Sequence, residues 1–291
     1  MINSDEKRKR GNTRYILHGQ MITDTGLHVG SGYGSPRTNA TVVRDMEQRP
    51  YIPGSSFKGA LRSTVERLIA GLSGSTVTSC QLAEDYADCL TTDKTRQQKY
   101  QDLQEHFARK EKTEQDLIDF LKDGDGLCDT CRLFGSPFSQ SRLLVRDLTL
   151  TSNEGKVAGE IRHGVGIDRE TLTAREKIKF DFEALPSQLQ FEAELIVERP
   201  SPLDLALLAL GLREMELGFV PLGGIRSRGL GRCHLASLEV RELDLTNKTA
   251  VLSFLRQSRP AGQEQARQLA GQPKDASEFI EQHLTELEQM V

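Results

Sequence analysis

The chain contains no tryptophan, and aromatic residues make up only 5% of it. That excludes a broad platform for stacking successive bases, which needs an aromatic face for each base. No apolar run approaches the ~18 residues that a membrane-spanning helix needs. Residues 1–6 lack the apolar stretch of a secretory signal. These absences predict a cytoplasmic protein with no membrane partner. Positive charge is not in excess either. Lys and Arg total 38 against 42 for Asp and Glu, a net charge of -4. A protein that coats nucleic acid non-specifically is usually basic, although a local basic groove remains compatible with this balance. The cluster Lys7-Arg8-Lys9-Arg10 reads either as a nucleic-acid arm or as a solvated tail.

The 291 residues suffice for one large domain or two modest ones at roughly 150 residues each. Residues 14–23 read as a strand, and residues 26–34 hold too many glycines for a regular element. Residues 41–45 look like a short strand. Pro53-Gly54 makes a turn, after which Ser55 or Ser56 can cap a helix. Phe57, Leu61, Val65 and Leu68 or Ile69 recur at helical spacing. Residues 72–135 are polar and charge-mixed and read as an insertion that cannot build a large core. Residues 143–150 return to strand character. Residues 156–187 fit a protruding hairpin. Leu189, Phe191, Ala193, Leu195 and Val197 alternate with polar residues, the pattern of a half-buried strand. Ser201-Pro202 opens an apolar helix with a cap and a proline at its first position. Ala236, Leu238 and Val240 mark a last strand, and residues 246–291 read as a polar tail with a terminal helix near residues 276–290. Strands interleaved with two helices predict an α+β fold. The natural candidate is a ferredoxin-like (RRM-like) antiparallel sheet with helices on one face, built from residues 12–71 and 136–245.

Two segments suit anions. In Gly223-Gly224-Ile225-Arg226-Ser227-Arg228-Gly229-Leu230-Gly231 the glycines let backbone N–H groups approach a ligand, and Arg226 and Arg228 carry charge suited to phosphates. The bland alternative is a tight connection with exposed arginines. In Pro53-Gly54-Ser55-Ser56-Phe57-Lys58-Gly59-Ala60-Leu61-Arg62, a helix N-terminus adds positive potential, and Lys58 and Arg62 lie four residues apart on one face. The segment lacks the Lys-Ser/Thr end of a phosphate-binding P-loop, which disfavours nucleotide hydrolysis.

The five cysteines are an odd number without a secretion signal, so metal binding or burial is favoured over disulfides. Cys128-Asp129-Thr130-Cys131 is a C-x2-C pair, with Cys80 and Cys89 upstream. Four thiolates suit tetrahedral zinc, and a structural ion would supply the folding energy this insertion lacks. The alternative is two unrelated surface cysteines plus a redox-silent C-x2-C pair. His106 is a reserve ligand, and Cys233 reads as a buried strand residue.

The segments at residues 51–62 and 223–231 together resemble the signature of the RAMP (repeat-associated mysterious protein) superfamily. More narrowly, they resemble the backbone subunits of type III CRISPR effector complexes. Residues 164–174 and 180–186 resemble the thumb hairpin of those subunits, and Thr25-Gly26-Leu27-His28-Val29-Gly30 resembles their opening loop. The resemblance spans about residues 14–240. It implies a subunit that polymerises along a guide crRNA beside neighbouring copies and other Cas subunits, and leaves the bases free to pair with target RNA. Ser55, Ser56, Lys58, Arg62, Gly224, Arg226, Ser227 and Arg228 would hold phosphates, while Ile167, Asp168 and Arg169 of the thumb would lie nearest the bases. Zinc occurs in this insertion in some such subunits.

Members that cut target RNA use an aspartate in the loop before Tyr51. Residues 30–40 contain no acid, and Asn39 stands where one is expected. An amide neither takes a proton nor holds magnesium as a carboxylate does. Either the subunit is a natural non-cutter or the acid has been replaced. His28, in the loop, is the better acid/base candidate of His18 and His28. Two enzymatic alternatives stay open: a target-RNA endoribonuclease within the complex, served by magnesium, and a stand-alone guide-processing ribonuclease.

Overall fold

The computed structural model describes residues 4–35, 38–72, 76–80, 94–116, 120, 126–136, 139–151, 157–256 and 274–290. In chain order the first half contains α1 (Ser4–Arg8), β1 (Thr13–Thr23), β2 (Tyr51–Ile52), α2 (Gly54–Gly71), α3 (Lys94–Ala108), α4 (Asp129–Phe134), β3 (Leu143–Val145) and β4 (Leu148–Leu150). The second half contains β5 (Glu160–Ile167), β6 (Ala174–Ala184), β7 (Gln190–Glu198), α5 (Pro202–Glu216), β8 (Cys233–Asp244), α6 (Lys248–Arg256), β9 (Lys274–Asp275) and α7 (Ala276–Met290). Among the described residues no helix is long and apolar enough to cross a membrane.

Period-two alternation decides which side of the sheet is covered. Leu17 and Met21 of β1 face Leu195 and Phe191 of β7 across one antiparallel ladder, and Val240 and Leu235 of β8 across the other. All six are buried and share a core with Phe57, Leu61 and Val65 of α2 and Leu207 and Leu208 of α5. Each such side chain contributes roughly 1.5–3 kcal/mol on leaving water. The sheet runs β2-β4-β7-β1-β8-β9, with β3 also on β7. The chain thus goes from β1 through α2 to β3 and β4, then to β7, and through α5 to β8. That is the β-α-β-β-α-β connectivity expected from the sequence.

Several local expectations change. Residues 41–45 form only isolated bridges, Gly30 to Val42 and Arg44 to Pro50, and the Ala40 carbonyl just before them accepts the N–H of Glu183 in the hairpin. Residues 143–150 split into β3 and β4 around Arg146-Asp147, where the Asp147 carboxylate accepts the N–H of Gly54 at 2.8 Å. That bond starts α2 at Gly54 with Pro53 as its cap residue, so neither Ser55 nor Ser56 caps it. Gly54 is required there: a Cβ would lie 2.4 Å from the Val145 carbonyl oxygen. On α2 the buried stripe runs through Ile69. The apolar helix α5 begins with a full capping box, the Ser201 hydroxyl and the Asp204 carboxylate each accepting the other's backbone N–H.

The C-terminal segment, read as a polar tail, carries α7, which buries Phe279, Ile280, Leu287 and Met290 in the main core. Its charged face conceals that stripe in a composition average. β5 and β6 form a separate two-stranded antiparallel hairpin inside the 156–187 segment. The first half of the basic N-terminal cluster is anchored to the body, while Lys9 and Arg10 are exposed. Lys7 donates to the Thr76 hydroxyl at 2.7 Å, and Arg8 grips both carboxylate oxygens of Asp129, a residue 2% exposed.

Candidate nucleic-acid groove and cysteine centre

The two glycine-rich segments meet. The Gly224 N–H donates to the His28 carbonyl at 2.8 Å, and the Gly231 N–H to the Gly26 carbonyl at 2.9 Å. Gly223 has φ +75, and a Cβ on it would sit 2.2 Å from the His28 carbonyl oxygen, so only glycine allows this approach. Beside the junction runs a groove of about 350 Å³ lined by Val29, Gly30, Ser56, Gly59, Gly224 and Arg226, among others. It continues along α2 past Ser63, Thr64, Glu66 and Arg67.

Arg226, Ser227 and Arg228 form one 3-10 turn and are exposed. Arg226 lines the groove, whereas the Arg228 guanidinium lies 5.0 Å above the Phe180 ring of β6, a cation–π contact. Ser55 is exposed, Ser56 lies in the groove wall, and Lys58 is half-buried. Burial, and next the charge of Arg62, hold the Lys58 ammonium below its usual pKa. The α2 N-terminus is less open than a bare helix end, since the N–H groups of Ser56 and Phe57 turn back on the Pro53 carbonyl. Arg62 is committed inside the protein: it donates to Glu66, to the Gly135 carbonyl and to Cys131 Sγ. Burial opposes its charge, but the bonds to Glu66 and Cys131 prevail and raise its pKa.

His28 is 8% exposed. Its Nδ1 lies 2.6 Å from the Glu183 carbonyl, which can only accept, so Nδ1 carries the proton. Asn39 is exposed and its amide donates to Asp181 Oδ1 at 2.7 Å. Sequence reasoning missed Asp181, because the two residues stand 142 positions apart in different segments. At the hairpin tip, Ile167 is 63% and Leu172 80% exposed, and Arg169 is exposed. Asp168 accepts the N–H groups of Glu170 and Thr171. The Thr171 bond, then that of Glu170, lowers its pKa, which makes it the anchor of the turn.

Cys80, Cys128 and Cys131 are buried, and their sulfur atoms lie within 4.8 Å of one another. Cys89 lies outside the described residues. The juxtaposition has a visible cause: the Asp129 carboxylate accepts the N–H and hydroxyl of Thr78, pinning the Cys80 segment to the C-x2-C turn. Cys128 precedes α4, and its sulfur accepts the Cys131 N–H at 3.4 Å. Donors aimed at sulfur favour thiolates, so these residues fit a metal ion and could hold one. His106, on α3, is exposed and paired with Glu111. Cys233 is a buried strand residue, as expected; burial, then Asp24, pushes its thiol up to about 12.

Two curated proteins are similar over most of their length. One, from Methanothermobacter thermautotrophicus and named "CRISPR system Cms endoribonuclease Csm3", is 25% identical over 78% of this chain and 86% of that protein. The other, of the same name from Methanocaldococcus jannaschii, is 24% identical over 78% of this chain and 80% of that protein. The family model described as the RAMP superfamily matches residues 21–234, from β1 through the glycine-rich junction to the start of β8, and the chain belongs to that superfamily.

Proposed function

We propose that this chain is a guide-RNA-binding backbone subunit of a type III CRISPR ribonucleoprotein. One observation carries the reading: the opening loop, the first turns of α2 and the arginine-bearing loop converge on a single groove. Backbone amides, hydroxyls and Arg226 there are groups that hold phosphates without reading bases. Such local binding also reconciles RNA affinity with a net charge of -4. The hairpin is the thumb, its exposed Ile167 and Leu172 reaching for the bases. Target RNA pairs with the held guide, and neighbouring copies and other Cas subunits complete the assembly. Alanine at both Arg226 and Arg228 is expected to weaken guide RNA retention and to flatten its salt dependence. The log–log slope should fall by about 0.7 for each single-strand phosphate left without its arginine. Unchanged affinity and slope refute the assignment.

The cysteine centre holds structural zinc, with Cys89 as the fourth ligand. Elemental analysis of the purified chain should find about one zinc per chain; less than about half an equivalent rejects the site.

A second reading, target-RNA cleavage, is favoured by the Asn39–Asp181 contact. The acid expected in the loop is an amide, yet a carboxylate adjoins it. Asn39→Asp would set two carboxylates side by side, a pair able to hold magnesium. The variant, assembled with guide and partner subunits, should gain cleavage of a complementary RNA. No gain means that the acid lies elsewhere or is absent and refutes Asn39 as its place.

A further inference from the structure

Arg62 stands between the two sites. Its Nε donates to Glu66 Oε1 and its Nη1 to the Gly135 carbonyl, both at 2.8 Å, while Nη2 reaches Cys131 Sγ at 3.1 Å. Gly135 ends the short helix that begins after Cys128. The neighbouring face of α2 gives Ser56, Gly59 and Ser63 to the groove, and Glu66 lines its continuation. One side chain therefore spans from a sulfur of the metal centre to the wall of the ligand groove. Sequence spacing places it among the phosphate-holding residues, but all three of its bonds lie inside the protein.

We infer that Arg62 is a positioning residue of the cysteine centre, and that through it metal occupancy sets how α2 is seated along the groove. The inference rests on the metal reading above, and not on RNA being the ligand. A divalent ion held by three or four thiolates leaves the centre net negative, and the Arg62 guanidinium donates directly to one of its sulfurs. Outer-shell donors of this kind orient ligands and raise metal affinity. When the ion leaves, Cys131 Sγ is no longer fixed by coordination, and Arg62 loses the anchored partner that holds its outer edge. Its bonds to Glu66 and Gly135 then lack a third fixed point, and the middle of α2 loosens.

The full chain supplies the test. Zinc affinity is measured by competition with a chelating dye for the wild type, Arg62→Gln, Arg62→Lys and a charge-matched control, Arg109→Gln, at an exposed position just beyond α3. Amide hydrogen exchange along α2 is followed with zinc and after its removal. Arg62→Gln should weaken zinc binding by about 10- to 100-fold, Arg62→Lys should recover part of it, and Arg109→Gln should bind as wild type does. Zinc removal should speed exchange in wild-type α2. In Arg62→Gln exchange should already be fast and indifferent to zinc. Wild-type zinc affinity in Arg62→Gln, or α2 exchange blind to zinc in the wild type, overturns the inference alone. A chain that takes up no zinc overturns the metal reading and this inference together.

Discussion

Gly223→Val is expected to cost on the order of 3 kcal/mol or more and to abolish binding in the groove. Two effects combine. A β-branched residue at φ +75 is strained by about 1–3 kcal/mol. Its Cβ, 2.2 Å from the His28 carbonyl oxygen, must then push the two loops apart and break the Gly224 to His28 hydrogen bond, a further ~1 kcal/mol. The melting temperature and an RNA titration read both consequences. Gly59 is the contrast within the same groove. A Cβ there meets nothing within 4 Å and the position is helical, so Gly59→Ala should stabilise by about 0.5–1 kcal/mol. If both variants shift the melting temperature alike, close loop approach is not what Gly223 provides.

The second large effect belongs to Asp204→Ala. Asp204 is 2% and Arg142 7% exposed, and the two form an ion pair. Asp204 also completes the capping box at Ser201. Removing the carboxylate strands a buried guanidinium, a loss of about 3–5 kcal/mol, and opens the first turn of α5. Denaturant unfolding measures it. The double variant Arg142→Met/Asp204→Ala should recover a large part of the loss, since no charge is left uncompensated. If the double variant is as unstable as the single one, the damage lies in the cap and not in the ion pair.

The parts legible in the sequence were those set by local rules. Alternation marked β7, and Ser201-Pro202 marked the start of α5, because each is decided within a few residues. The glycine-rich segments could be recognised as loops that approach something closely; that they approach each other is a long-range fact. The same gap explains what local rules missed. Arg62 sits four residues from Lys58 at the spacing of a shared face, yet the partner that turns it inward, Cys131, is 69 positions away. Asp129, inside the C-x2-C motif, reads as a spacer until Arg8 and Thr78 are seen to bind it. Asp181 pairs with Asn39 only because the hairpin folds back over the loop.

Among the described residues the hairpin pairs with no strand of the large sheet, and its base rests on a miniature hydrophobic knot of Phe182, Ala184 and Leu230 separate from the main interior. The base is nonetheless tied to the body, through Glu183 to Ala40, Val42 and Arg44 and Asp181 to Asn39, whereas the tip carries exposed Ile167 and Leu172. An arm mounted in this way can be lengthened or shortened at its far end without retuning the body, and under mild denaturant its outer strands should fray before the sheet behind it opens.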